Sequence, residues 1–203
     1  MTTTSQAPTR AAILELMNEQ SVVREAYVFL DEKRLLLASE LLQQLQRYQA
    51  LNQELTELHA SARAAMAAAI SHHGLDGLQV YATTRLTDAE WQRRPRNLMG
   101  VTLVDTELAF APDTAEPVNA VYPSAAAERC RTLYLHILQK SAELAGLSGN
   151  LYRLLAEYRV TERRSRALEN IILPEIDQAL REMSLHLEEL ELEDAIRVRL
   201  RSG

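Results

Sequence analysis

At 203 residues, with only six glycines and six prolines, the chain suits long uninterrupted helices, and its formal net charge of -6 excludes the overall basic balance of a general nucleic-acid binder. Aromatic residues make up 5% of it, which argues against a globule packed around rings. The single cysteine, Cys130, excludes an intrachain disulfide and suits a reducing cytoplasm.

Residues 1–8 form a polar lead with neither the basic start nor the apolar run of a secretory signal. The richest apolar run, Ala60 to Ile70, contains Arg63 and is too short to span a bilayer. Pro8-Thr9-Arg10 opens a first coiled-coil helix over 9–73, with Thr9 able to supply the capping oxygen. Along it a stripe recurs in steps of three and four: Ile13, Leu16, Gln20, Val23, Tyr27, Leu30, Arg34, Leu37, Leu41, Gln44, Tyr48, Leu51, Leu55, Leu58, Ala62, Ala65 and Ala69. Only Gln20, Arg34 and Gln44 interrupt its apolar character. A straight helix would rotate such a stripe by roughly 20° per heptad, so the strict period predicts a left-handed supercoil. The helix is expected to end near His72-His73-Gly74, where glycine suits a left-handed cap.

Residues 74–123 differ in composition, holding four of the six prolines and the only tryptophan, Trp91. Leu78–Leu86 and Leu98–Phe110 read as two strands of a small β-hairpin, with Arg93-Arg94-Pro95-Arg96 as a basic loop between them. Ala111 to Pro123 reads as a linker. Ser124 then caps a second coiled-coil helix over 124–203, with Glu128 in its first turn. Its seam runs through Leu133, Ile137, Lys140, Leu144, Leu147, Leu151, Leu154 and Tyr158, and resumes as Leu168, Ile172, Ile176, Leu180, Met183, Leu187 and Leu190. Extra four-residue steps around Pro174 act as a stutter. A proline inside a helix costs about 3 kcal/mol, so Pro174 is either a tolerated kink or a deliberate bend.

Two seams of similar length predict a mainly α fold: a long antiparallel two-helix coiled coil, each helix roughly 95–115 Å long, carrying the hairpin insert between them. With Ala69 opposite Leu133, a register good to about two turns, Arg34 and Gln44 fall level with Leu168 and Tyr158, and Thr161 and Ser165 lie in the same interval. This polar mid-shaft segment either fixes register or marks where the seam loosens against another subunit.

Motifs for chemistry are missing. There is no phosphate loop, Gly100 stands without the other glycines of a dinucleotide fingerprint, and the five histidines have neither di-iron nor H-E-x-x-H spacing. No catalytic residue, cofactor or metal ligand is therefore expected. The acidic run Glu188 to Asp194, followed by Arg197, Arg199 and Arg201, reads as a solvated helix face with cations near the negative end of the dipole.

Pro8-Thr9-Arg10, Leu30-Asp31-Glu32-Lys33-Arg34, Asn97-Leu98-Met99-Gly100-Val101, Arg163 through Glu169, Ile171-Ile172-Leu173-Pro174 and Leu187-Glu188-Glu189 stand in an order and spacing that resembles the D subunit, the central rotor shaft of the V-type and A-type rotary ATPases. The resemblance covers nearly the whole chain, although Ser165 and Arg166 stand where Val and Asn are typical. It implies a non-catalytic shaft with its paired termini inside a ring of A and B subunits. The insert end would engage the small F subunit and the funnel-like C (or d) subunit above the membrane ring. It also implies a cytoplasmic protein, peripheral to the membrane, that couples ATP hydrolysis or synthesis to proton or sodium transport. Arg163, Arg164, Arg166 and Glu169 are the expected contact residues, and Pro174 the expected bend. A coiled-coil adaptor or stalk protein of an export-type ATPase is the alternative, and the segment Leu78 to Phe110 discriminates against it because such adaptors generally lack an insert.

Overall fold

The computed structural model describes residues 9–79, 89–110 and 124–201, so the lead at 1–8 and the linker expected at 111–123 lie outside the described residues. Two long helical stretches flank a two-stranded antiparallel hairpin, and the expected mainly α-helical hairpin with a small β insert holds. The elements are α1 (Arg10–Gln79), β1 (Glu90–Leu98), β2 (Val101–Ala109), α2 (Ala125–Ala167), a π-helical turn (Leu168–Ile172) and α3 (Leu173–Arg201). They fall into two compact units: Met1–Leu36 with Tyr158–Gly203, and Leu37–Glu157.

Both helical stretches begin where a hydroxyl caps them. Thr9 Oγ1 accepts the Ala12 N–H at 3.2 Å, and Ser124 Oγ accepts that of Ala127 at 3.4 Å, each satisfying a donor that the first turn leaves without an intrahelical partner. At Gly74, α1 is interrupted by a residue with φ 68° and ψ 169°, at the point where the sequence places the helix end. A side chain there would be strained, and glycine is not. Helix resumes through Gln79, so Leu78 and Gln79 are helical rather than the start of a strand, and the rest of that expected strand, 80–86, lies outside the described residues.

The seams are the cores of the units. All seventeen stripe positions of α1 are buried or half-buried, with Leu37 and Ala62 fully so. On the second stretch every seam residue is likewise covered except Leu190, which is exposed. In the first unit Arg10 pairs with Glu191, Gln20 with Asp177 and Tyr27 with Glu169, a descending order that makes the helices antiparallel. In the second, Arg47 pairs with Glu143, Glu54 with Lys140 and Met66 Sδ lies 3.6 Å from Cys130 Sγ, again antiparallel. Met66 therefore meets Cys130, whereas the sequence register would set it beside His136, a shift of roughly six residues, under two turns.

The stutter at Pro174 is resolved by the π turn. Leu168, Ile172, Ile176 and Leu180 advance by four residues each, and on an ideal helix of about 3.6 residues per turn the stripe would drift off the partner. The wider π turn absorbs the excess; the Leu173 N–H donates to Leu168 O, five residues back. Pro174 follows directly and has no N–H to lose.

The hairpin differs from expectation: its first strand is Glu90–Leu98 rather than Leu78–Leu86, so Arg93 to Arg96 is not a loop but the middle of β1, and Leu98 closes β1 rather than opening β2. The turn is Met99-Gly100, with φ 48° and 87°, the positive values of a two-residue turn matched to strand twist, and the Gly100 N–H donates to Asn97 Oδ1 at 3.0 Å. Leu98 faces Val101, so pairs alternate back along the strands and Pro95 faces Val104 at a non-hydrogen-bonded position. The proline nitrogen thus points to the outer edge, where no ladder bond is lost.

Candidate functional site

Val104, at that same position, turns its N–H and C=O to the outer edge of β2. The side chain of Asn150 on α2 takes both, with Oδ1 accepting the N–H at 2.7 Å and Nδ2 donating to the carbonyl at 3.1 Å. One helical amide thereby acts as a neighbouring strand. Two residues along the strand, the Thr106 hydroxyl donates to the Ala142 carbonyl at 2.6 Å. The contact is possible because Gly146 has no side chain: a Cβ there would overlap the Thr106 hydroxyl and lie 3.2 Å from its backbone nitrogen. Ala142, Gly146 and Asn150, four residues apart and all buried, form a second face of α2 distinct from the leucine seam, and the hairpin lies on it with Val101 and Leu103 buried.

From the other strand, Arg96 reaches Glu40 on α1, and its Nε lies 3.9 Å from Asp105. Glu40 also accepts from Gln44 Nε2 at 2.8 Å, and Gln44 is 2% exposed with its Oε1 left without a hydrogen-bond partner among the described residues. Burial pushes the Glu40 carboxyl upward, but the hydrogen bonds from Arg96 and Gln44 and the charges of Arg96 and Arg47 outweigh it and hold the group below its ordinary value.

Of the mid-shaft polar residues expected from sequence, Thr161 and Ser165 are each 1% exposed in the first unit, continuing the seam between Leu154 and Leu168. Arg34 belongs to that unit and pairs with Asp31 at 2.5 Å. Gln44 belongs to the second unit, in the Glu40 cluster. The expected contact residues Arg163, Arg164, Arg166 and Glu169 are all exposed, as is Pro174. Arg166 pairs with Glu162 at 2.6 Å, while Arg163 and Arg164 have no carboxylate partner among the described residues. Glu169 faces Tyr27: its charge, then desolvation and Asp31, raise the tyrosine hydroxyl above its ordinary value, with Arg34 opposing. Of the residues that seat the hairpin, Glu40, Asn150 and Gly146 were not singled out from sequence and Arg96 was read only as part of a basic loop, although small residues recurring every four positions beside a leucine seam signal a second packed face.

Among the described residues no three His, Cys, Asp or Glu side chains converge in a way that could hold a metal ion, and no helix is long and apolar enough to cross a membrane. This pattern of two seams and a seated insert runs through residues 12–201, which match the family model for the ATP synthase D subunit. The chain belongs to the D-subunit family of ATP synthases. Similar members include the D subunit of the V-type ATP synthase of Thermotoga neapolitana, 25% identical over 195 residues and 96% of either chain. The D subunit of the A-type ATP synthase of Thermococcus sibiricus is 29% identical over 195 residues, 95% of this chain and 91% of its own. The second D subunit of the V-type ATP synthase of Treponema pallidum is 25% identical over 190 residues, 94% and 90% respectively. The buried seam positions and the seated hairpin are therefore features of an ATP synthase D subunit.

Proposed function

We propose that this D subunit is the non-catalytic central shaft of a V/A-type rotary ATPase, transmitting torque between a head of A and B subunits and the membrane ring that moves protons or sodium ions. The observation that carries the reading is the unbroken covering of seam positions on α1 by an antiparallel partner within each unit. Interlocked side chains at interior density resist slipping and untwisting, which a torque-bearing element requires and a simple tether does not. On this reading the F subunit and the funnel-like C (or d) subunit are further partners, and the chain is held at the membrane only through the complex, on its cytoplasmic side. Arg163, Arg164 and Arg166 are the proposed contacts with the head, where exposed guanidiniums on α2 meet carboxylates that change neighbours as the shaft turns. Differential contact with successive interfaces then biases each catalytic site toward a different state.

The test is direct observation. The chain is co-purified with the hexameric head and a bead is attached to the hairpin; ATP should drive stepwise rotation of the bead. A head that binds the chain stoichiometrically yet hydrolyses ATP with a stationary bead overturns the proposal.

A further inference from the structure

The two faces of the hairpin meet the second unit differently. One face opens on a groove lined by Arg47, Arg94, Asp105, Glu107 and Glu143, and there the cations are answered: Arg47 pairs with Glu143 at 3.5 Å and Arg94 with Glu107 at 3.2 Å. The other face opens on a groove floored by Ala145, Gly146 and Gly149 of α2 and walled by Trp91, Arg93 and Arg153. Among the described residues no carboxylate lines this second groove, and neither arginine has one as a partner. Among the described residues Arg153 donates only to the neutral Asn150 Oδ1, at 3.0 Å, and Trp91, the sole tryptophan, is 56% exposed.

In a chain with 28 carboxylate residues against 22 lysines and arginines, an opening with two guanidiniums and no acid to answer them among the described residues is a local reversal of sign. Its floor of small residues leaves room for an incoming side chain. An exposed tryptophan beside arginines is the composition of an interface hot spot. Arginine presents a planar fork that a carboxylate meets with two parallel hydrogen bonds.

We infer that this groove, between Trp91 and Arg93 of β1 and Arg153 of α2, is a docking site for an acidic segment of a neighbouring protein of the rotary complex. The segment places one carboxylate against Arg93 and a second against Arg153, with an apolar side chain resting on Trp91. The inference rests on the proposed place of the chain in such a complex. It adds a contact surface on the hairpin to the exposed arginines at 163–166, which belong to the other unit.

The test replaces Trp91 by the photoreactive p-benzoylphenylalanine in the assembled complex, with cross-linked peptides sequenced after irradiation. The expected product joins position 91 to a segment of another protein of the complex that carries at least two Asp or Glu residues. In the same assembly, Arg93→Glu should weaken retention of that protein at least tenfold at low salt, with the difference shrinking as the Debye length falls below about 8 Å, while Arg93→Lys stays within roughly threefold of wild type. Cross-links confined to this chain, to a segment without acids, or absent altogether in an intact complex overturn the docking site and leave the shaft reading standing. Failure of the unsubstituted chain to join any ATPase head overturns both.

Discussion

Glu40 is the residue at which hairpin and helix are electrostatically joined. Because its folded carboxyl titrates below the ordinary range, the ionised form is the one that folding favours. The stability it adds is present above the ordinary carboxylate value and is lost as pH falls through the lower folded value. Glu40→Gln should therefore flatten the acid limb of a urea-midpoint against pH profile, with the two proteins converging at the acid end; parallel profiles would mean that Glu40 is not the titrating group. At neutral pH, Glu40→Ala strands the buried Gln44 amide, whose Oε1 already lacks a partner among the described residues, and should cost about 1–3 kcal/mol. Leu154 is 0% exposed and offers the contrasting apolar case. Leu154→Ala should cost about 2–5 kcal/mol in urea denaturation, with no pH dependence, because what is lost is packed volume.

At the scale of elements, the hairpin is held less by its own ladder than by α2. Two strands alone are marginal in water, so the Asn150 amide and the close approach over Gly146 decide whether this insert keeps its place. Gly146→Ala should push β2 off the helix: hydrogen exchange at the Val104 amide should rise by at least about tenfold while helical circular dichroism is unchanged. An unchanged exchange rate would mean that the strand can shift without losing the Asn150 bonds. The outer edge of β1 is protected in another way, by Pro95 at a position whose nitrogen faces outward and by three arginines, which suit an edge that must not recruit a further strand. That composition also hid the strand. Arg93-Arg94-Pro95-Arg96 has no apolar alternation, since β1 is exposed along all but its last residue, and Met99-Gly100 lacks the usual asparagine of a tight turn.

For the whole molecule, under the proposed shaft function the π turn before Pro174 and the buried Thr161 and Ser165 are the places to probe coupling without touching catalytic subunits. Pro174→Ala restores a backbone donor and should stabilise the free chain while lowering the ratio of ions moved to ATP hydrolysed in the complex. An unchanged ratio would remove Pro174 from the coupling path. Thr161 and Ser165 distinguish a register device from a docking point. If they set register, amide protection around them in the free chain should equal that in the complex; a marked gain on assembly would show that a partner covers the segment.

The periodic stripes by themselves determined the helical class, the antiparallel hairpin and, Leu190 apart, the covering of the seam positions, because a seven-residue apolar period admits few solutions other than a paired helix and is written locally along the chain. The short motifs set along those stripes carried the family, and even Gly74 declared its left-handed backbone in advance. Tertiary structure alone decided the register, which at Met66 and Cys130 differs by roughly six residues from the sequence alignment of seams, since neighbouring heptads of leucine and alanine are nearly interchangeable partners. It also decided that Arg96 answers Glu40, that Asn150 serves as a strand for Val104 and that the Trp91 groove is left without an acid among the described residues. The first two pairings join residues 56 and 46 positions apart, and no local pattern encodes a contact whose partners are brought together only by the fold.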